Sequence, residues 1–248
     1  VARAAGASRR DADAWIRLGR VFVNGAPPAA IGLAVDPAHD RVTLDGHPIV
    51  LPAEHRYLAY HKPRGLIVSR RSQGGKRTIF DSLGGRARGL HAVGRLDFES
   101  EGLLLLTDDG DLSEALLHPR TALLRRYRVW TRPVPEPVEL RRLEEGTTVE
   151  DVRVQPLRVA LEGADRGAGI LTIDLQEGKK REVRVLARAA GLSVERLLRV
   201  QFGPVVLGPL RPGALRPLSD PEITALRRAA FRGTKGGGTL RRGASHAE

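Results

Sequence analysis

The sequence predicts an α+β protein: a body built on a mixed, mainly antiparallel sheet, preceded by a small α/β module. Three observations carry this expectation. Short alternating segments such as Arg126-Tyr127-Arg128-Val129-Trp130 and Ile170 to Leu175 recur between short helical patterns. The run Leu103-Leu104-Leu105-Leu106 is apolar throughout and must be buried. The first fifty or so residues read as a helix-and-strand unit of their own, closed by the linker-like stretch Pro48 to Glu54.

The elements follow in order. Ser8 and Asp11 form a capping-box pattern that opens a helix. Ala12, Trp15 and Ile16 share one face of it, Arg9, Arg10 and Arg17 point elsewhere, and Gly19 ends it. Val21-Phe22-Val23 reads as a strand ending at the turn pair Asn24-Gly25, and Arg41 to Leu44 as another, turned at Asp45-Gly46. Tyr57 to Tyr60 begins the body. Lys62 and Arg64 flank a Pro-Gly-type turn, Ser69 to Lys76 reads as a mobile basic loop, and Arg86 to Gly89 as a second basic turn. Beyond Leu106, Asp109-Gly110 turns the strand, Asp111 is expected to cap the next helix with Glu114 completing its box, and Pro119 stops it.

Arg126 to Trp130 is a strand, Val138 to Gly146 a short helix or turn, and Thr148 to Val159 a run of edge-like strands. Glu177 to Arg181 is a basic turn before a helix over Glu182 to Ala190 capped by Gly191, and Arg181, Arg184 and Arg188 share one side of it. Val194 to Phe202 is a strand with Arg196 and Arg199 interleaved. Pro221 opens a last helix reaching Ala230. The expected organisation is a module over 1–50, a linker over 51–56, a body over 57–230 and a basic disordered tail over 231–248.

The chain has 248 residues, 41% of them hydrophobic, enough for a large core. It has no cysteine, which excludes disulfides, thiolate metal sites and a Cys nucleophile. It has no methionine either, so the chain is expected to begin after the true start. No apolar run approaches the ~20 residues that span a bilayer, and a soluble, cytoplasmic monomer is expected. Net charge is +12, from 41 Lys and Arg against 29 Asp and Glu, which points to a polyanionic partner, RNA or DNA ahead of a membrane. Aromatic residues are only 4%, which disfavours a stacking groove for single strands.

The seven histidines lack ligand spacing, and Asp108-Asp109-Gly110-Asp111 lacks the alternation and downstream glutamate of a calcium loop, so no metal site is expected. No glycine loop matches a nucleotide cradle and no nucleophile elbow is present. Glu99 and Glu101 alternate in a turn and are expected in solvent, against a two-carboxylate glycosidase. What remains is Asp97, set in the polar turn of Gly94-Arg95-Leu96-Asp97-Phe98-Glu99-Ser100 and running straight into the buried leucines. A carboxylate held on a rigid buried element is a competent nucleophile or base without a cofactor. Its target, if a nucleic-acid base, must be flipped from its stack.

The stretch Gly94 to Thr107, GRLDFESEGLLLLT, resembles the catalytic motif of pseudouridine synthases, in the branch acting on ribosomal RNA of the small and large subunits. The likeness extends to KPRG (Lys62 to Gly65), RRYRV (Arg125 to Val129), EGKKREVR (Glu177 to Arg184) and RVQFGPVVLGPLRPGALRPL (Arg199 to Leu218). Gly6 to Gly25 with Val42 to Ile49 resembles an S4 RNA-binding domain truncated at its front, which brings the chain nearest to the type-B synthases within that branch.

The resemblance implies attack by Asp97 on the uracil ring or the anomeric carbon of a flipped uridine, then detachment, rotation and rejoining through carbon 5. It implies that Tyr127 stacks on the base and handles protons, that Arg184 pairs with Asp97, and that Val183 lies in the apolar floor. Arg95 would fill the gap left by the flipped nucleotide or hold a phosphate. Lys62, Arg64, Lys180 and Arg181 are expected to contact substrate, and Ser8, Arg9, Arg10, Arg17 and Arg20 to present the front module to RNA. The partner implied is ribosomal RNA, most of all that of the large ribosomal particle, or a pre-ribosomal particle, with no cofactor or metal. Lys179-Lys180 stands where relatives commonly have arginine-asparagine, and Phe98 and Ser100 where tyrosine and threonine are frequent. The alternatives are a non-catalytic assembly factor on the same fold, which would be free to lose Asp97, Tyr127 and Arg184, and a metal-dependent nuclease using the acidic turn.

Overall fold

The computed structural model describes residues 1–231, apart from 53 and 150, so the basic tail expected from 231 onward lies almost wholly outside the described residues. The chain opens with α1 (Ala2–Ala5) and α2 (Arg9–Arg17). Ser8 Oγ accepts the Asp11 N–H at 3.1 Å and the Asp11 carboxylate accepts the Ser8 N–H at 3.3 Å, so the expected capping box forms. Strands β1 (Val21–Val23), β2 (Val42–Leu44) and β3 (His47–Pro48) make a separate antiparallel sheet. Asp45 and Gly46, at φ 52° and 78°, supply the two left-handed residues that a tight β2–β3 hairpin needs.

The body contains β4 (Tyr57–Lys62), α3 (Ile79–Leu83), β5 (His91–Val93), β6 (Glu101–Thr107), α4 (Gly110–Leu117), β7 (Arg125–Arg132) and α5 (Pro137–Glu145). It continues through β8 (Thr147–Val149), β9 (Val152–Val154), β10 (Arg158–Asp165), β11 (Ala168–Leu175), α6 (Glu182–Ala189) and β12 (Ser193–Phe202). It ends with β13 (Val205–Val206), β14 (Leu215–Pro217) and α7 (Asp220–Ala230). Nine of these strands form one sheet in the order β10-β11-β7-β12-β6-β4-β14, with β13 added on β12 and β5 on β6. Every pairing is antiparallel except β12 with β6, which makes the sheet mixed.

Strand β6 explains its own composition. Successive side chains point to opposite faces, and here both faces are covered. Leu104 and Leu106 enter a core with Leu186 of α6 and Leu143 of α5. Leu103 and Leu105 enter a second core with Leu112 of α4 and Leu226 of α7. A strand sealed on both sides reads as a continuous apolar run.

Helix α4 departs from expectation. Its cap is Asp109, whose Oδ1 accepts the Leu112 N–H at 3.0 Å, and not Asp111, which lies within the first turn. Asp109 also accepts from the Tyr57 hydroxyl at 2.6 Å, so a buried phenol holds the helix start two residues earlier than expected. The neighbouring Asp108 ties the front module to the body through Arg3 at 3.6 Å. Gly6 and Gly89 meet there so closely that a β-carbon on Gly89 would lie 3.2 Å from Gly6 Cα. Among the described residues no helix is long and apolar enough to cross a membrane.

Candidate active site

The turn between β5 and β6 carries Asp97. Gly94 enters it at φ 74°, a left-handed conformation that suits glycine. The Ser100 N–H closes it on the Asp97 carbonyl at 3.1 Å. Lys62, expected to contact substrate, is instead fully buried beneath the turn. Its Nζ donates to the carbonyls of Pro63 at 3.0 Å, Asp97 at 3.0 Å and Ser100 at 2.8 Å. Burial pushes its pKa down to about 8, against the opposing pull of the Asp97 and Glu101 carboxylates. Lys62 is therefore the brace that holds the turn's backbone.

The facing wall comes from β7, β12 and the start of α6. Strand β7 alternates, placing Arg125, Tyr127 and Val129 on its buried side. Arg199 of β12 is the direct cross-strand partner of Tyr127. The turn before α6 ends at Arg181, left-handed at φ 56°, and the Glu182 carboxylate accepts the Lys179 N–H at 3.0 Å to hold it shut. The two walls enclose a cleft of about 220 Å³. Arg95, Asp97 and Ser100 line it from the β5–β6 turn, Tyr127, Leu197 and Arg199 from β7 and β12, and Lys179 to Val183 from the start of α6 and the turn before it. Asp97, Tyr127, Arg95, Lys180, Arg181 and Val183 thus come from separated stretches to line one cleft.

Electrostatically the cleft is basic with two buried exceptions. Burial pushes the Glu182 carboxyl up to about 7, with Lys179 N–H and the Arg125 and Arg199 guanidiniums pulling it down. Burial also raises the Tyr127 phenol, against the pull of Arg199. Arg125 donates to the Leu123 carbonyl at 3.0 Å and the Gln176 carbonyl at 2.6 Å. It stacks on Phe202, with Arg199 over the same ring.

Arg184 is placed differently from expectation. Among the described residues no ion pair joins it to Asp97. It lies 3.9 Å from the Glu99 carboxylate, donates to the Val194 carbonyl at 3.2 Å, and feels Asp97 only as a more distant charge. Glu99, expected as idle solvent-facing charge, reaches both Arg184 and Arg181, the latter at 3.8 Å. Glu101, also expected in solvent, is buried and bonded to Arg196. It begins β6 rather than sitting in the turn, and strand alternation turns it inward.

In the front module Arg9, Arg10 and Arg17 stand exposed on α2, Arg9 lying against Gly110 of the body, whereas Ser8 is engaged in its cap. Arg20 is bonded to both Asp45 oxygens at 2.8 and 2.5 Å and stacks on Trp15. Arg64 is exposed beside the site and weakens the charged form of Arg184. Sequence reasoning missed Arg125, Arg199, Glu182 and Ser100 as site residues. The available signal was phase: Arg125 and Arg199 occupy the inward positions of their strands, in step with Val129 and Leu197.

A mixed sheet that brings two carboxyl groups, Asp97 and Glu182, and one phenol into a small basic-rimmed cleft has the parts of an enzyme site. The family model for RNA pseudouridylate synthase matches residues 56–189. A protein of Aquifex aeolicus carrying the name uncharacterized RNA pseudouridine synthase is 36% identical over 224 residues, covering 90% of each chain. Ribosomal large subunit pseudouridine synthase B of Bacillus subtilis is 31% identical over 235 residues, 94% of this chain and 96% of that one. Its namesake in Pseudomonas aeruginosa is 39% identical over 236 residues, 91% of this chain but 60% of that longer protein. A crystal structure of a pseudouridylate synthase superposes with a TM-score of 0.63 at 28% identity, over 91% of this chain and 96% of that one. The chain belongs to the RNA pseudouridylate synthase family.

Proposed function

We propose that this protein converts one uridine of ribosomal RNA, in the large subunit, to pseudouridine, with Asp97 as the nucleophile. The observation that carries the reading is the meeting of Asp97 and Tyr127 in one cleft sized for a single base, not a duplex. Asp97 attacks the flipped uridine as the N1 glycosidic bond breaks, the base turns and bonds the anomeric carbon through carbon 5, and the bond to Asp97 breaks to return its carboxylate. Tyr127 stacks on the ring and takes the proton left on carbon 5. Val183 provides the apolar floor, and Arg184, steered by Glu99, keeps the mouth of the site positive. Arg95, Lys180 and Arg181 rim the cleft and meet the phosphates on either side of the target.

The rim continues into a second groove of about 430 Å³ lined by Arg132, Arg181, Arg184 and Arg188. Arg181 borders both, so the strand flanking the target runs from one into the other. Residues 1–50 act as an S4-like module that grips RNA away from the target through Arg9, Arg10 and Arg17, and residues 57–230 form the catalytic unit.

The test is pseudouridine mapping of total ribosomal RNA from cells lacking the protein, complemented with the wild type or with Asp97→Asn. One large-subunit site is expected to disappear and to return only with the wild type. A full set of pseudouridines in the deletion strain, or rescue by Asp97→Asn, overturns the assignment.

A further inference from the structure

Arg199 is 3% exposed on β12, with Tyr127 and Glu182 as the groups that favour its charge. Its Nε donates to the Leu103 carbonyl at 2.8 Å and its guanidinium lies 5.1 Å from the Phe202 ring. Its Nη2 is buried with no hydrogen-bond partner. A guanidinium does not shed its charge in proteins, and burying an unpaired one is strongly unfavourable. Such a group calls for something that completes it.

Its place in the sheet says what that is. Arg199 pairs across the sheet with Tyr127 of β7 on one side and with Gly102 of β6 on the other. Gly102 has φ 110°, and a β-carbon on it would come within 2.6 Å of the Arg199 amide nitrogen. Glycine alone lets β6 close to that point. Because β6 starts directly after the Asp97 turn, Arg199 joins the strand that carries Tyr127 to the strand that mounts Asp97. Arg199 and Tyr127 both line the cleft.

We propose that Arg199 is a positioning residue for Tyr127: it fixes the ring's register against Asp97, and its unpartnered Nη2 holds the phenolate that removes the proton from carbon 5. The inference rests on the isomerase reading above. The phenolate oxygen takes the proton, the electron pair of that C–H bond restores the 5,6 double bond of the uracil, and the phenol returns its proton to water. Burial is the largest influence and pushes the Tyr127 phenol up, Arg199 pulls it down, Glu182 of α6 opposes the phenolate and Arg125 of β7 favours it. Arg125 spends its Nη1 on two carbonyls, whereas Arg199 favours the phenolate more strongly than Arg125 does, both as a charge and as a hydrogen-bond donor. Asp97, Arg95 and Lys179 to Arg181 rim the same cleft.

The chain has only three tyrosines, so carbon-13 labelling of the tyrosine Cζ, with Tyr127→Phe for assignment, follows this phenol directly by NMR. Tyr127 should titrate about one pH unit or more lower in the wild type than in Arg199→Met. Arg199→Lys, which keeps the charge and loses the fork, should fall between, and it serves as the sole comparison if Arg199→Met does not fold. The alkaline limb of kcat should move with the titration, while KM for the RNA stays within about twofold. Equal Tyr127 titrations in wild type and variant overturn the proposal, even if activity falls, because a structural role would lower activity without moving the phenol. A phenol that stays protonated in both up to alkaline unfolding overturns it as well. The titration needs no turnover. A shifted phenol in a protein that modifies no ribosomal uridine would reject the isomerase reading and the proton-transfer role, while leaving the Arg199–Tyr127 coupling intact.

Discussion

Asp97 and Tyr127 enter the cleft from opposite walls, and their neighbours dictate how substitutions there will read out. Asp97→Asn keeps the turn, because Lys62 and Ser100 hold the Asp97 carbonyl and not its side chain. It should lower kcat on the order of 10⁴-fold or more. RNA affinity should stay within about twofold, since phosphate contacts dominate binding. Tritium release from 5-tritiated uridine in RNA and filter binding measure the two separately. Glu182 gives a pH signature. Its folded pKa of about 7 lies above the ordinary value of 4.5. The folded state therefore holds the proton more tightly, and the stability this contributes is fully present below 4.5 and is lost as pH rises through 7. Glu182→Gln can still accept the Lys179 N–H and carries no charge. Relative to wild type it should gain up to about 3 kcal/mol between about pH 4.5 and about pH 8. Urea unfolding across that range checks it, and parallel pH dependences in the two proteins would contradict a buried, raised Glu182.

Among the elements, β6 and its neighbours explain both what the sequence made legible and what it hid. Leu103 to Leu106 is readable as buried because four leucines in a row have no polar face, and the capping box at Ser8 because its donors are local. Lys62 was not readable, because a lysine's usual place is the surface and its three carbonyl partners come from residues up to 38 positions away. Arg199 shows its inward phase in the sequence, but its partners on β6 and β7 come together only through the sheet order. Motif likeness singles out Asp97, Tyr127 and Val183, whereas the Glu99 contacts of Arg184 depend on how α6 docks. Two substitutions probe these strands directly. Gly102→Ala forces a β-carbon into the Arg199 backbone at a left-handed φ and should cost about 2–4 kcal/mol in denaturant unfolding. Lys62→Met strands the carbonyls under the turn and should cost about 1–3 kcal/mol while lowering kcat more than RNA affinity. An Asp97 turn indifferent to Lys62→Met would mean that the brace is unnecessary.

Over the chain as a whole, a net charge of +12 is divided between recognition and chemistry. The cleft and its arginine groove lie on the body, whereas Arg9, Arg10 and Arg17 lie on α2 of the front module. The module touches the body through Arg3 with Asp108, Arg9 with Gly110, and Gly6 with Arg88 and Gly89, on residues that do not line the cleft. Its three-stranded sheet shares no strand with the nine-stranded one. Deleting residues 1–50 should therefore leave the catalytic sheet folded and weaken RNA binding. Each phosphate interaction removed should reduce the slope of log K against log salt by about 0.7–0.9. The rate at saturating RNA should stay within about twofold, because Asp97, Tyr127 and Arg199 keep their partners within the body. Binding isotherms at several salt concentrations, with single-turnover rates at saturation, measure both. An unchanged salt slope would show that the module's arginines do not touch phosphate. A collapse of the saturated rate would show that the Arg3–Asp108 contact reaches the cleft through β5 and β6, making the module part of the active site and not only its anchor.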